Sequence, residues 1–556
     1  MTTASPAPDD AVDRDRPDAS GPDGFGPDEF GADDACAAEL LCDRHPADGV
    51  AFTVVGPDRH PEDVSFGDLA QRSDRVAAAL ASRGVARGDA VGVLMGKSAD
   101  LPAVLLGIWR LGAVHVPLFT AFAGPAVELR LAASGAAVVV ADADQVGKLR
   151  TDADRLIVQV GGERPEDPTR LRLADLLAGE SAPSPTPARV GGDGVLVLLF
   201  TSGTTGTPKG VPVPLRAVSA MRRYLVDALD LRDDDVYWNV ADPGWAYGLY
   251  YGVLAPMALG RPNVLLHAPF SAPLTWELLR DLGVTDLAAA PTVYRALQAG
   301  RPDGDHGVRL RCASSAGEPL TPDVVRWSRE DLGIEVRDHY GQTELGMVVA
   351  NAWRPDLRRE VVPGSMGHPL PGWTCVVLAE DRDEVVPADT VGRLAVDTAR
   401  SPLMWFPGYA DAPERTAERY SADGRWYLTG DTASQAADGR LAFSSRDDDV
   451  IIMAGYRIGP FDVESVLVTH PDVADAAVVA APDALRGEVL QAFVVLDPAA
   501  GVRADLEAEL QQLVKTGFAA HAYPRAVHVV PELPRTPSGK VQRFRLREQL
   551  RAQTSG

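Results

Sequence analysis

Short apolar runs alternate with helical spacing through the first two-thirds of the sequence, and this alternation restricts the fold more than any other feature. Stretches such as Phe66–Arg83 and Ala103–Leu111 space their apolar residues as helices do. Strands that alternate with helices build parallel sheets covered by helices. We therefore expect layered α/β subdomains, with strands at Val91–Met95, Ala136–Ala141, Val195–Phe200, Val264–His267 and Asp286–Ala289, and a later strand at Glu335–Arg337.

Two later regions depart from this pattern and indicate further structural units. Gly364–Tyr409 is rich in Gly, Pro and Val, which favours a small antiparallel β subdomain. After residue 449 a compact α+β unit is expected, with strands at Val473–Ala480, Gln491–Leu496 and Ala526–Val530 and helices at Val463–Thr469 and Asp505–Leu513. Because 556 residues are too many for one core, we expect a large domain over residues 36–445, a hinge over 446–449 and a small mobile domain over 450–550.

The charge distribution excludes several classes of partner. The net charge of −24 argues against binding to nucleic acid or to an anionic membrane surface. Residues 1–35 contain ten acidic residues, two arginines and few apolar groups, so we expect them to be disordered. No run of 18 apolar residues is present, so we expect no integral membrane association.

The cysteines bear on the cellular compartment. Four scattered cysteines without a Cys-x-x-Cys pair fit a reduced, cytoplasmic compartment.

The strand Val195–Phe200 runs into a loop suited to holding phosphates. Leu198–Val211 reads Leu-Leu-Phe-Thr-Ser-Gly-Thr-Thr-Gly-Thr-Pro-Lys-Gly-Val, with five hydroxyls, three glycines and one lysine, Lys209. Hydroxyls, exposed backbone N–H groups and an ammonium group suit a polyanion such as a triphosphate. A Walker A loop needs Gly-Lys-Ser/Thr at the start of a helix, whereas Lys209 stands between a proline and a glycine. The loop therefore indicates another kind of ATP chemistry.

This loop resembles the signature of the adenylate-forming (AMP-binding) superfamily, which includes acyl-CoA synthetases, luciferases and the adenylation domains of peptide synthetases. Further segments in the family's order extend the resemblance from about residue 37 to 548: Ser315–Pro319, Tyr340–Glu344, Tyr427–Asp431, Gly455–Pro460 and Pro534–Lys540. Gly455–Pro460 is similar to acyl-CoA synthetases of the medium-chain and benzoate-CoA ligase type. The resemblance implies an ATP-dependent, acid–thiol ligase that makes acyl-CoA, as in fatty acid metabolism.

The resemblance also implies the residues that bind ATP and its metal. Glu344 is the expected Mg²⁺ ligand, since a carboxylate can hold that ion beside phosphates. Thr343 is expected near the reacting acyl group, and Asp431 on the ribose hydroxyls, which an ionised carboxylate binds well. The implied ATP-binding set is Thr201, Ser202, Gly203, Thr204, Thr205, Gly206, Thr207, Pro208, Lys209, Gly317, Glu318, Pro319, Asp338, His339, Tyr340, Gly341, Gln342, Asp431 and Arg446.

The small domain is expected to serve both half-reactions. The resemblance makes Lys540 the catalytic lysine of adenylation and Asp448 the hinge about which the small domain turns. It assigns CoA binding to Ala454, Gly455, Tyr456, Arg457 and Arg486. An arginine suits a CoA phosphate because its planar fork presents several donors.

The acyl pocket is expected to be lined by Trp245, Tyr247, Gly248 and Gly341. Acetate-specific relatives carry a tryptophan where this chain has Gly341, so we expect a deeper pocket floor and a medium-chain, branched or aryl acid. Two alternatives stay open: a stand-alone adenylation enzyme that loads a carrier-protein thiol, and a non-catalytic nucleotide-binding relative. We expect no carrier domain in this sequence, because only 16 residues follow Lys540.

Overall fold

The computed structural model describes residues 28–150, 155–165, 167, 170–178, 185–201, 209–318, 320–446, 449, 451–453, 456–483, 487–498, 500–501, 503, 505–517, 522–535 and 541–554. The strands are, in chain order, β1 (Val50–Val55), β2 (Pro61–Ser65), β3 (Ala90–Leu94), β4 (Val114–Pro117), β5 (Val138–Asp142), β6 (Leu156–Val160), β7 (Arg170–Arg172), β8 (Val195–Thr201), β9 (Lys209–Pro214), β10 (Tyr237–Asn239), β11 (Asn263–Leu266), β12 (Asp286–Ala289), β13 (Cys312–Ala316), β14 (Arg337–Gln342), β15 (Gly346–Ala350), β16 (Ser365–Pro369), β17 (Cys375–Leu378), β18 (Val391–Asp397), β19 (Trp426–Gln435), β20 (Leu441–Arg446), β21 (Ile451–Met453), β22 (Tyr456–Ile458), β23 (Val473–Asp483), β24 (Gly487–Leu496) and β25 (Ala526–Val529).

The α-helices lie between these strands. They are α1 (Phe66–Ala81), α2 (Asp100–Arg110), α3 (Gly124–Ser134), α4 (Leu173–Ala178), α5 (Ala217–Asp227), α6 (Ala246–Leu249), α7 (Ala255–Leu259), α8 (Ala272–Asp281), α9 (Pro291–Ala299), α10 (Pro322–Asp331), α11 (Pro413–Ala417), α12 (Pro460–Leu467), α13 (Leu506–Gly517) and α14 (Arg543–Thr554). Among the described residues, no helix is both long enough and apolar enough to cross a bilayer.

Three sheets organise the molecule. One has the order β7-β6-β5-β3-β4-β8-β9 and is parallel except for the β8–β9 hairpin. A second runs β2-β1-β11-β10-β12-β13-β14 and continues through the antiparallel strands β15-β16-β20-β19-β18-β17. The third, in the C-terminal unit, has the order β22-β21-β24-β23, with β25 also paired to β24. The predicted α/β layers and the smaller C-terminal α+β unit are confirmed.

Local sequence explains where the helices begin and what they bury. Ser65 caps α1, because its hydroxyl accepts the backbone N–H of Asp68 at 3.0 Å. Helix α2 is buried along its whole length from Leu101, as its almost uninterrupted apolar sequence requires. Its last residue, Arg110, is also buried, and its guanidinium binds the Asp43 carboxylate at 2.9 Å. The small domain has a hydrophobic core of its own, which contains Val478 and Leu490.

One expectation from the sequence needs correction. The expected disorder through residue 35 is wrong for the last part of that segment, since Phe30 is fully buried and stacks with the guanidinium groups of Arg44 and Arg222. Residues 1–27 lie outside the described residues. The antiparallel strands expected in Gly364–Tyr409 are present, and they continue the large sheet through β15 and β16.

Candidate functional site

The candidate site lies at the ends of the parallel strands β13 and β14, where Asp431 of the antiparallel strand β19 contacts β14. Carboxyl ends of parallel strands are the usual place for ligands in α/β sheets. Strand β13 leads into Gly317, whose φ of 96° suits a glycine. The sequence placed a strand at 335–337 with the Tyr340 motif after it. The structure instead includes Tyr340–Gln342 in β14 and leaves Thr343–Leu345 as the turn to β15.

Asp431 is held in place by two side chains of β14. Its Oδ2 accepts hydrogen bonds from the Tyr340 hydroxyl at 2.5 Å and from Gln342 Nε2 at 2.7 Å. Burial and the neighbouring Asp431 charge raise the pKa of Tyr340 well above its usual value, so this hydroxyl stays a donor. Arg446 lies opposite Asp431 in the β19–β20 register. The structure thus brings together four of the residues that the sequence assigned to ATP.

A second group joins the predicted metal ligand to the end of the phosphate loop. The Glu344 carboxylate, 8% exposed, accepts a hydrogen bond from the Tyr409 hydroxyl at 2.6 Å. Lys209 Nζ lies 5.0 Å from the centre of the Tyr409 ring. Burial, together with the charges of Arg419 and Arg415, lowers the pKa of Lys209. Thr201 pairs with Lys209 across the β8–β9 hairpin, so both ends of the phosphate loop are near this group.

The chemistry of this group fits a magnesium ion. Mg²⁺ takes hard oxygen ligands and commonly binds one or two carboxylates together with substrate phosphates. Glu344 offers such a carboxylate in a largely buried position, and the Lys209 ammonium group lies beside the ring of Tyr409, whose hydroxyl is hydrogen-bonded to that carboxylate, which suits a phosphate-bearing substrate.

The part of the site formed by Ser315 and Asp338 is polar, buried and incompletely hydrogen-bonded. Ser315 of β13 lies opposite Asp338 of β14, and burial raises the pKa of Asp338 well above its usual value. Within the described part of the chain, Ser315 Oγ and Asp338 Oδ1 have no hydrogen-bond partner. Buried polar groups are nearly always satisfied, so these atoms suit a ligand with polar edges such as a purine.

Glu318 connects this side to the small domain. Its carboxylate accepts from the Thr292 hydroxyl at 3.0 Å and pairs with Arg295 at 3.3 Å. Arg535 of the small domain lies 4.0 Å from the same carboxylate. This arginine was missed at the sequence level, although it belongs to the Pro534–Lys540 run, and it directly precedes the segment that carries Lys540.

The predicted acyl-pocket residues meet a cluster of tyrosines. His339, which the sequence assigned to ATP, hydrogen-bonds through Nδ1 to the Tyr224 hydroxyl at 2.7 Å. The Tyr224 hydroxyl in turn lies 3.0 Å from the Tyr247 hydroxyl. Burial lowers the pKa of His339 to about 3, so the ring is neutral. The structure therefore groups His339 with Tyr247, a predicted acyl-pocket residue. Tyr224 of helix α5 hydrogen-bonds to both of them, and no sequence motif indicated this tyrosine.

The remaining acyl-pocket residues are packed tightly. Trp245 contacts the rings of Phe119 and Phe122 at centroid distances of 5.8 Å and 5.6 Å. A Cβ atom at Gly341 would lie 2.1 Å from the carbonyl oxygen of Gly346, and one at Gly248 would lie 2.2 Å from another backbone carbonyl oxygen. The expectation that Gly341 deepens the pocket floor is wrong for this backbone, because the neighbouring strand β15 fills the space that a side chain would take.

Several predicted residues cannot be described. Ser202–Pro208, Pro319, Asp448, Ala454, Gly455, Arg486 and Lys540 lie outside the described residues. Arg446, Tyr456 and Arg457 are described as strand backbone only, the last two in β22 beside β21. The hinge, the CoA-binding set and the catalytic lysine therefore remain predictions.

Family comparison identifies the class to which this fold and site belong. A model described as "AMP-binding enzyme" matches residues 39–409, and one described as "AMP-binding enzyme C-terminal domain" matches residues 462–540. The chain therefore belongs to the AMP-binding enzyme family.

Individual relatives place it among the acyl-CoA synthetases of that family. The acetyl-coenzyme A synthetase of Bacillus subtilis is 35% identical over 87% of this chain and 85% of its own length. A crystal structure of a Brucella canis acyl-CoA synthetase is 42% identical, with a TM-score of 0.72 over 93% of this chain and 95% of the other. The anthranilate CoA ligase AuaEII, solved with anthranoyl-AMP, is 27% identical, with a TM-score of 0.83 over 94% and 98%. The predicted family and enzyme class are confirmed.

Proposed function

We propose that this protein is an AMP-forming acyl-CoA synthetase, which converts a carboxylic acid, ATP and CoA into acyl-CoA, AMP and pyrophosphate. The observation that carries the proposal is a pair of carboxylates at the β14–β15 hairpin, one in its turn and one held against β14 from β19. Asp431 is fixed by Tyr340 and Gln342, and Glu344 is fixed beside Lys209. Ribose hydroxyls suit the first carboxylate, and a metal-bound triphosphate suits the second together with the lysine.

In the first half-reaction, a carboxylate oxygen of the acid attacks the α-phosphorus of ATP. A new P–O bond forms, the bond to the β-phosphate oxygen breaks, and pyrophosphate leaves. Both reactants are anions, so the site has to neutralise charge and align them. Lys209 lies at the end of the loop that would hold the leaving pyrophosphate. Magnesium, held by Glu344, would supply charge neutralisation at the phosphates.

In the second half-reaction, the CoA thiolate attacks the acyl carbon of acyl-AMP. The C–S bond forms, the mixed anhydride bond breaks, and AMP leaves with the electron pair. A single arrangement does not easily serve both steps, since Lys540 would occupy the position that the thiol needs. A turn of the small domain at Asp448 would exchange Lys540 for the CoA-binding residues around Gly455. The ion contact between Arg535 and Glu318 supports an approach of the Lys540 segment to the site.

The acid itself is assigned by class only. The cluster of neutral tyrosines around His339 supports a medium-chain, branched or aryl acid, since it offers an uncharged surface with hydroxyl groups. A cytoplasmic location is proposed from four free, buried cysteine thiols.

A pyrophosphate-release screen tests the proposal. The full-length protein is incubated with ATP, magnesium and a panel of acids, with and without CoA, and AMP and acyl-CoA are measured. We expect release with at least one acid and coupled AMP formation when CoA is present. Release that couples to a carrier-protein thiol instead of CoA would favour a carrier-loading enzyme, and no release with any acid would remove the enzymatic assignment.

The assignment of the two half-reactions is tested with Lys540→Ala. Adenylation should fall by about 10²–10³ in rate, by analogy with the loss of one transition-state donor. Conversion of supplied acyl-AMP with CoA should be retained. Equal loss of both half-reactions would contradict the separate role of Lys540.

A further inference from the structure

The turn that carries the proposed metal ligand is held by three aromatic side chains. The carbonyl oxygen of Thr343 accepts a hydrogen bond from the Tyr250 hydroxyl at 3.0 Å. The Glu344 carboxylate accepts one from the Tyr409 hydroxyl at 2.6 Å. The carbonyl oxygen of Leu345 accepts one from Trp405 Nε1 at 3.0 Å. We call Tyr250, Trp405 and Tyr409 the aromatic clamp. The adenylate-forming motifs in the sequence gave no indication of it, because its members come from two other segments of the chain.

Tyr409 differs from the other two members because its hydroxyl contacts a charged side chain on either side. Arg419 Nε donates to the Tyr409 oxygen at 3.1 Å, and that hydroxyl donates to Glu344. A donor polarised by a cation gives a stronger hydrogen bond to an anion. Burial and the Glu344 charge raise the pKa of Tyr409 above its usual value, so the hydroxyl keeps its proton. Arg419 is itself held, since its second nitrogen donates to the carbonyl oxygen of Thr429 at 3.1 Å.

The ring of Tyr409 also contacts the lysine of the phosphate loop. Lys209 Nζ lies 5.0 Å from the ring centre, within the range of a cation–π interaction. The backbone supports this contact, because the N–H of Ala410 donates to the carbonyl oxygen of Gly210 at 2.9 Å. One tyrosine therefore links the carboxylate of Glu344 to the ammonium group of Lys209.

We propose that Tyr409 is a positioning residue for the binding of metal-bound ATP. Its hydroxyl fixes the Glu344 carboxylate, and its ring fixes the Lys209 ammonium group, so that the metal and the triphosphate meet both charges in one arrangement. The assignment rests on the proposed function, since it takes Glu344 and Lys209 as the groups that bind MgATP.

ATP binding without acid or CoA tests this assignment. Isothermal titration calorimetry on the full-length protein gives the ATP dissociation constant with magnesium and with EDTA, and their ratio is the gain in affinity due to magnesium. Tyr409→Phe keeps the ring but loses the hydroxyl. We expect its magnesium gain to fall about tenfold, as for loss of a hydrogen bond to a charged group. Its affinity for ATP in EDTA should stay unchanged.

A second variant separates the contribution of the hydroxyl from that of the ring, and a third serves as a control. Tyr409→Leu removes both, so the affinity for ATP in EDTA should also fall, by about threefold. Tyr420→Phe is the matched control, because Tyr420 is close to Tyr409 in the sequence and its hydroxyl makes a long, 3.5 Å contact with the carbonyl oxygen of Phe406. It should change neither value. Thermal unfolding shows which variants are folded, and Tyr409→Phe tests the proposal even if the leucine variant is not.

A double-mutant cycle with Glu344→Gln distinguishes positioning from a general structural effect. If Tyr409 acts through Glu344, the double variant should have the same magnesium gain as Glu344→Gln alone. Wild-type behaviour of Tyr409→Phe, or additive effects of the two substitutions, would overturn the assignment while the proposed function stands. A wild-type protein that binds no ATP would overturn the proposed function as well.

Discussion

Adjacent residues of β14 face two chemically different surroundings. On one side, the Tyr340 hydroxyl donates a hydrogen bond to the charged carboxylate of Asp431. On the other side, His339 is neutral and shares a hydrogen bond with Tyr224. Because side chains alternate along a strand, one short segment can serve a charged substrate and an uncharged acyl group at once. The difference supports our proposal that a single strand separates nucleotide binding from recognition of the acid.

The largest effect is expected on the nucleotide side, from Asp431→Asn. An amide keeps an oxygen acceptor for Tyr340, but it loses the charge that binds hydroxyl groups strongly. The KM for ATP should rise about 10- to 100-fold, with a much smaller change in the KM for the acid. Steady-state pyrophosphate release measures both constants. An equal rise in both would contradict the separation of the two sides.

A smaller effect is expected on the acyl side, from Tyr224→Phe. The substitution leaves His339 Nδ1 and the Tyr247 hydroxyl without their common partner. A buried group left unpaired lowers the free energy of unfolding by about 1–3 kcal/mol, which urea denaturation measures. The KM for the acid should change while the KM for ATP does not. Tyr420→Phe serves as the control, and a shift in the KM for ATP alone would show that Tyr224 belongs to the nucleotide side.

The last effect concerns the pH dependence of stability. Burial lowers the pKa of His339 and of His115 to about 3, against about 6.5 in the unfolded chain. The unfolded chain therefore binds more protons over this interval. Each histidine's contribution is complete above about pH 6.5 and is lost as the pH falls toward 3.

Substitution by glutamine separates the two histidines. In urea denaturation between about pH 4.5 and 6.5, His339→Gln and His115→Gln should each make the free energy of unfolding fall less steeply with acid than in the wild type. His115 lies in β4 and its ring contacts Trp109, so we expect only His339→Gln to alter the KM for the acid at neutral pH. Slopes identical to the wild type in both variants would contradict the assignment of neutral, buried rings.

The sequence predicted the strands well where apolar runs are bounded by polar residues. The strand expected at Asp286–Ala289 has the same bounds in the structure. The strand near Arg337 was predicted to end too early, because Tyr340–Gln342 resembles a polar loop motif and its strand character comes from antiparallel pairing with β15. Gly341 was interpreted as extra space, yet the structure uses it for close approach of β15. Such pairing is not visible in local composition.

The sequence by itself determined the order of the chemical groups: a lysine-bearing phosphate loop, the Glu344 turn, Asp431, and a lysine near the end. The phosphate loop follows from its residue types, and the other groups follow from the resemblance of their motifs, in this order, to the adenylate-forming superfamily. The tertiary structure alone decided which groups touch. The Tyr409 hydroxyl reaches Glu344 across 65 residues, and Tyr224 reaches His339 across 115. Strand register and the packing of α5 against the sheet set those contacts, and no local pattern of residues encodes them.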